Sequence, residues 1–195
     1  VGRSATITRS TKETDITVTL DLDGAAATSV ATGVPFFDHM LEALGRHGLL
    51  GLSVSATGDL AVDAHHTVED VGICIGQAIA QSLGDKTGIR RFGSAVVPMD
   101  EALVLAAVDV SGRGQLHYDV AVPIELIGSF DTTLAKEFMV ALATNAGITL
   151  HVRALVGENA HHIIEAAFKA LARALREACE PDPRVSGIPS TKGSL

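Results

Sequence analysis

The feature that most constrains this chain is a seven-residue motif that occurs twice: Asp63-Ala64-His65-His66-Thr67-Val68-Glu69 returns as Asn159-Ala160-His161-His162-Ile163-Ile164-Glu165. Each copy follows an alternating apolar segment and, before that, a helical one, so the repeat extends to elements as well as residues. Two copies of one small unit are the economical explanation. Each unit must cover its sheet with its helices. The expected fold is therefore α/β (of the α+β kind), an internal duplication of a ββαββα-type half, with two sheets and the helices packed between them. The half-repeats are expected at 1–93 and 94–195, together one compact domain. A 195-residue chain that is 47% hydrophobic and 19% charged can fill such a core.

Periodicity places the elements. Ile16, Val18, Leu20 and Leu22 alternate with Thr17, Thr19 and Asp21 as in a half-buried strand ending at Asp23-Gly24. Helical spacing runs from Pro35 to Leu44, closed by Gly45 and Gly48, and a strand follows from Leu52 to Thr57. After the Gly58-Asp59 turn, a helix from near Asp63 to Gly84 carries Val68, Val71, Ile75 and Ile79 on one face. The second half offers strands at Ala95–Val97, Leu103–Val110 and Leu116–Val122, a helix at Thr132–Asn145, a strand at Ile148–Leu155 and a helix at Asn159–Cys179, ended by Pro181 and Pro183.

The repeated motif carries chemistry. With Asp63 or Asn159 as N-cap, both histidines fall in the first helical turn and the glutamate one turn on. The first histidine and the glutamate stand at i, i+4 on one face, while the second histidine points about 100° away. One motif can thus serve two metals. Imidazole with carboxylate suits divalent manganese, iron or zinc, and the lack of a nearby cysteine argues against a structural zinc site. The bland alternative is a histidine that caps backbone or packs. Duplication weighs against it, because capping does not require Glu69 and Glu165 to recur.

Other candidates are less paired. His39 lies on the helix before the first motif, and its repeat counterpart is Glu137; either can ligate, or be a half-buried histidine and a surface charge. His47, His117 and His151 read as structural or surface residues. Lys169 extends the His161, Glu165 face by one more turn, either as an ordinary Glu–Lys helix pair or as a cation for an anionic substrate group. Arg90, Arg91, Arg113 and Lys192 sit in glycine-containing turns where side chains and backbone N–H groups can approach a phosphate. The net charge of −8 disfavours general affinity for nucleic acid. No apolar run reaches the roughly 20 residues that span a bilayer, and Val1–Ser10 lacks a secretory apolar stretch, so no membrane partner and a cytoplasmic location are expected. Cys74 and Cys179 read as buried free thiols.

Across essentially its whole length the sequence resembles the imidazoleglycerol-phosphate dehydratase family. The resemblance rests on Phe37-Asp38-His39-Met40-Leu41, both histidine-pair motifs, Gly88-Ile89-Arg90-Arg91-Phe92-Gly93, Asp109-Val110-Ser111-Gly112-Arg113 and Ser190-Thr191-Lys192-Gly193. It implies a hydro-lyase of histidine biosynthesis that removes water from D-erythro-imidazole glycerol phosphate to give imidazole acetol phosphate. It also implies a pair of manganese ions per active site and a homo-oligomer, a cubic shell of about 24 subunits with active sites completed between them. By resemblance the metal ligands are His39, His65, His66, Glu69, His161, His162 and Glu165. Glu137 departs from the pattern, since several members have histidine there; it is a carboxylate substitution or no ligand. Arg91, Arg113, Lys169, Ser190, Thr191 and Lys192 match substrate-binding positions, chiefly for phosphate, and Glu13 matches an acidic one. Glu13 and Glu165 are the candidates for moving protons, as catalytic residues. Two rivals remain open on the residues alone: a two-metal phosphohydrolase, and a non-enzymatic assembly clamped by metal.

Overall fold

The computed structural model describes residues 2–24 and 27–195. The first half contains β1 (Ser4–Ser10), β2 (Thr14–Asp21), β3 (Thr28–Ala31), α1 (Pro35–Gly48), β4 (Gly51–Gly58) and α2 (His65–Leu83). The second contains β5 (Phe92–Met99), β6 (Ala102–Asp109), β7 (Gln115–Asp119), a short hairpin of β8 (Leu126–Ile127) and β9 (Phe130–Asp131), α3 (Leu134–Ala146), β10 (Thr149–Val156) and α4 (Ala160–Cys179). Both four-stranded sheets have the same order, β1-β2-β4-β3 and β5-β6-β10-β7, with a parallel pair at the same edge, β3 on β4 and β7 on β10. The duplication therefore reaches the topology. Apart from the β8–β9 hairpin, each half runs β-β-β-α-β-α: this is the order that periodicity gives for the second half's elements, and in the first half β3 takes the matching place before α1.

The inner face of each sheet is apolar; the outer face of the first sheet is polar, whereas that of the second also carries Phe92, Val96, Leu103, Leu105 and Leu155. In β2, Thr14, Ile16, Val18 and Leu20 are buried, and in β6 Ala102, Val104, Ala106 and Val108. Burying those rows against helices supplies the main driving force. α1 and α2 lie on the first sheet, α3 and α4 on the second, and the layers meet through α2 on α3 and α1 on α4. Glycine permits the first contact: a Cβ on Gly72 would stand 2.8 Å from the Phe138 carbonyl oxygen, and one on Gly76 2.6 Å from that of Leu142. Those neighbours also show that α2 and α3 run in the same direction. A chain of rings crosses the interior, Phe168 to Phe138 (5.3 Å), Phe138 to Phe37 (5.3 Å), Phe37 to Phe130 (6.4 Å) and Phe130 to Phe36 (5.2 Å), and ends with Phe36 edge-on to His161 at 5.1 Å.

Three local expectations change. Gly45 does not close α1, which continues to Gly48 and ends with Leu49 at φ 52°. Gly45 instead lets β3 pass, because a Cβ there would lie 2.6 Å from Thr28 Oγ1. Asp63 is not the N-cap of α2, which starts at His65 after Ala64; its Oδ1 still accepts the His65 N–H at 2.8 Å. β1 and β3 are absent from the periodicity because β1 is an edge strand that buries only Ala5 and β3 buries none of its side chains.

Candidate metal centre

Both motif helices begin where an Asx side chain receives backbone N–H groups, in α4 from His161 (2.9 Å) and His162 (3.4 Å) to Asn159 Oδ1. The start of α4 faces the start of α1, and there three donors converge. His39 Nε2 is 3.1 Å, and His161 Nε2 3.0 Å, from Glu165 Oε2. Among the described residues His39, His161 and Glu165 are the group whose ligand atoms all lie within 4.8 Å of one another. Two imidazoles and a carboxylate are a donor set for a borderline divalent transition ion. Glu165 is buried and Lys169 Nζ donates to its other oxygen at 2.7 Å. Burial pushes its carboxyl up, but hydrogen bonds from Lys169, His39 and His161 outweigh that and hold it at about 2.

The pseudo-equivalent place on α2 is looser. His65 Nε2 is 4.0 Å from Glu69 Oε2, and both side chains are exposed. The packing of Gly72 against Phe138 and Ala141 sets Glu137, one turn nearer the start of α3, level with Glu69. That is the station His39 takes beside Glu165. Glu137 is half-buried. Next to His65, the starts of α1, α2 and α3 line a cavity of about 410 Å³ with Val34, Ala64 and Leu134.

The second histidines turn to other neighbours. His66 Nδ1 lies 3.0 Å from Asp59 Oδ2 and 3.8 Å from Glu13 Oε2; His162 Nδ1 lies 2.7 Å from Glu101 Oε2. The Asp59 hydrogen bond, with Glu13 nearby, raises the His66 pKa, and Glu101 raises that of His162. Glu101 in turn is held at about 2, first by His162 and then by the Asn159 N–H. Sequence reasoning missed Asp59 and Glu101. It also missed that His117 and His151, paired across β7 and β10, stack at 4.2 Å on the exposed sheet face. His47, half-buried, has its pKa lowered by burial and by Lys169 and Arg173.

The basic candidates gather elsewhere. Arg91, at φ 73°, donates through Nε and Nη2 to Asp109 (2.8 and 3.3 Å) and through Nη1 to the Pro189 carbonyl (2.8 Å). This backbone strain is held by hydrogen bonds from the Arg91 N–H to Ala178 and from Val110 to the Arg91 carbonyl. Pro189 leads into Ser190, whose Oγ accepts the Lys192 N–H at 3.2 Å, and the chain end at Leu195 packs on Gly112 beside Arg113. Arg113 Nη1 donates to the Ser111 carbonyl at 3.1 Å, and Thr191 and Lys192 are exposed. Arg91 precedes β5 and Glu101 follows it, and an eight-residue strand spans about 25 Å. Within one chain the basic group and the second-motif histidines thus stand at opposite ends of a strand. Lys169 is not with the basic group but on Glu165, and Glu13 is exposed at the β1–β2 turn.

An internally duplicated α/β sandwich that aims imidazoles and carboxylates from matching helix starts is a metal-site scaffold, a class several chemistries can use. The particular family follows from comparison with known proteins. Residues 32–175 match the family model described as imidazoleglycerol-phosphate dehydratase. Imidazoleglycerol-phosphate dehydratases of Dinoroseobacter shibae and Acidiphilium cryptum are each 61% identical to this chain, the first over 99% of it and the second over 100%, and in both cases over 100% of the relative. Crystal structures of the enzyme from Staphylococcus aureus (37% identity, TM-score 0.84, 92% of this chain and 99% of that one) and of IGPD from Pyrococcus furiosus in complex with (S)-C348 (41%, 0.84, 97% and 100%) share the fold. The chain belongs to the imidazoleglycerol-phosphate dehydratase family. It is a dehydratase, a hydro-lyase of histidine biosynthesis.

Proposed function

We infer that this chain removes water from D-erythro-imidazole glycerol phosphate to give imidazole acetol phosphate, with a pair of manganese ions in each active site. The single observation that carries the metal reading is the convergence of His39, His161 and Glu165 at the start of a duplicated helix. The donor set fits such an ion. His39, His161 and Glu165 would hold metal on one side; His65 and Glu69 form the corresponding group, with Glu137 standing in for the histidine. His66 and His162, half-buried against Asp59 and Glu101, would complete sites with a neighbouring subunit. Bound manganese supplies Lewis acidity that stabilises negative charge on the substrate imidazole.

The chain's own groups divide the remaining work. Glu165 accepts from Lys169 on one oxygen and has two histidine nitrogens within 3.1 Å of the other, so it is a weak base committed to holding the site. Glu13 is exposed and is our candidate to move the proton at the substrate carbon, work usually worth about 10²–10⁴ in rate. Arg91, Arg113, Ser190, Thr191 and Lys192 bind the phosphate, with Lys169 close to the metal donors. About 25 Å of strand between Arg91 and Glu101 is more than this substrate spans, which supports a site assembled from different subunits. We therefore propose a homo-oligomer of about 24 subunits, with the half-repeats 1–93 and 94–195 forming one catalytic domain. Phe92 and Gly93 already belong to β5. A cytoplasmic location is consistent with two buried unpaired thiols, and among the described residues no helix is long and apolar enough to cross a membrane.

The test is product analysis with metal-stripped protein and imidazole glycerol phosphate. Manganese-dependent formation of the ketone phosphate, without inorganic phosphate, is expected. Release of inorganic phosphate would favour the phosphohydrolase rival, and absence of any turnover with manganese would favour the metal-clamped assembly.

A further inference from the structure

The duplicated halves meet one need with different residues. Glu13 and Glu101 correspond, each being the residue before the central strand β2 or β6, whose buried rows match. Gly58 and Gly157 correspond as well, since a Cβ on either would meet the same motif position, Thr67 or Ile163, so the residues that follow, Asp59 and Glu158, are counterparts. Yet His162 takes its carboxylate from Glu101, at 2.7 Å, while His66 takes Asp59, at 3.0 Å, and leaves Glu13 3.8 Å away.

The asymmetry lies in the connections from strand to helix. Glu158, the counterpart of Asp59, is exposed and contributes its backbone N–H, which donates to Glu101 Oε1 at 3.2 Å. The connection from β4 to α2 is longer than that from β10 to α4, and in it Asp59 folds back over the β1–β2 turn, its N–H donating to the Glu13 carbonyl at 3.1 Å. Glu101 is bound in place, since it also accepts the N–H groups of Asn159 (2.7 Å) and Glu158 (3.2 Å). Among the described residues the Glu13 carboxylate accepts no hydrogen bond; it approaches His66 Nδ1 at 3.8 Å.

We propose that Asp59 and Glu101 are positioning residues, each accepting the Nδ1 proton of His66 or His162 so that Nε2 is left as the donor, and that Asp59 thereby frees Glu13 for the substrate. A carboxylate on one ring nitrogen fixes both the tautomer and the direction of the imidazole, which strengthens it as a metal donor. Asp100, 3.7 Å from His162 Nε2, is beyond hydrogen-bond range and leaves that nitrogen available. The proposal rests on the manganese reading above.

Manganese alone is the probe, its binding to metal-stripped protein followed by the paramagnetic resonance signal of the free ion. Asp59→Ala and Glu101→Ala are expected to weaken binding about 10- to 100-fold. Glu101→Gln, which keeps an oxygen for the helix-start N–H groups, should weaken it less while unfolding like the wild type, separating the imidazole contact from the cap. Glu13→Gln should lower manganese affinity more in the Asp59→Ala background than alone, because there Glu13 is the remaining carboxylate at His66. Wild-type affinity in Asp59→Ala or Glu101→Ala overturns the positioning role. Equal Glu13→Gln effects in both backgrounds overturn the freeing of Glu13. A wild-type protein that binds no manganese would instead defeat the metal reading itself.

Discussion

Gly76→Ala tests how closely the two helices that carry Glu69 and Glu137 are held. In an isolated helix this change stabilises by about 1 kcal/mol. Here the new Cβ would meet the Leu142 carbonyl oxygen at 2.6 Å, Asn145 Cβ at 2.8 Å and Ala146 N at 3.0 Å. Backbone atoms cannot rotate aside, so α2 and α3 must separate. An opening of about 0.5–1 Å forfeits a quarter to a half of the dispersion well at each contact along the interface. Overpacking of this type costs about 1–3 kcal/mol, and the backbone contacts put this case in the upper part of that range. Less the recovered helix propensity, the net loss is about 1–2 kcal/mol. Urea unfolding at fixed protein concentration reads it as a lower midpoint with unchanged slope. A midpoint equal to or above that of the wild type would refute the close packing, and with it the argument that sets Glu137 level with Glu69.

Lys169→Met removes the cation on Glu165 and should cost about 1.5–3 kcal/mol at neutral pH, the usual worth of a hydrogen bond to a charged group. Because the Glu165 carboxyl is held at about 2, below its unfolded value, that contribution is present above roughly pH 4.3 and is lost as pH falls toward about 2; the unfolding difference between the two proteins should vanish there. Burial pushes the Cys179 thiol up to about 12. Its folded value lies above the unfolded one, so its contribution is complete below roughly pH 8.5 and falls above it by up to about 1.4 kcal/mol per pH unit. Cys179→Ala should flatten that alkaline limb, and a limb of unchanged slope would discount the thiol. Chelation should shrink the assembly seen by light scattering, since metal bound between subunits stabilises their association; a full-sized particle after chelation would show that the metals are not needed for it.

What the sequence discloses is what repeats or alternates. The duplicated histidine motif predicts twin helices, and both form, with Asn159 capping α4 as its position demands. Alternation reveals β2 because one face is fully buried and the other is polar, whereas β6 shows as a continuous apolar run. β1 and β3 leave no such trace, being polar strands at sheet edges. Gly45 misleads because a glycine that admits a neighbour looks like one that ends a helix. Spacing within a helix aligns His161 with Glu165, but no local rule brings His39 to them across more than a hundred residues; that contact is made by α1 packing on α4. Asp59 and Glu101 are hidden for the same reason, since each is set against its histidine by a turn from another element. Comparing the strand starts of the two halves pairs Glu101 with Glu13, and that comparison needs the strands placed first.

The most direct test is to grow crystals with manganese and collect anomalous scattering at its absorption edge. A peak within coordination distance of His39 Nε2, His161 Nε2 and a Glu165 oxygen is the predicted result. Those side chains splayed apart, with no peak among them, would contradict it.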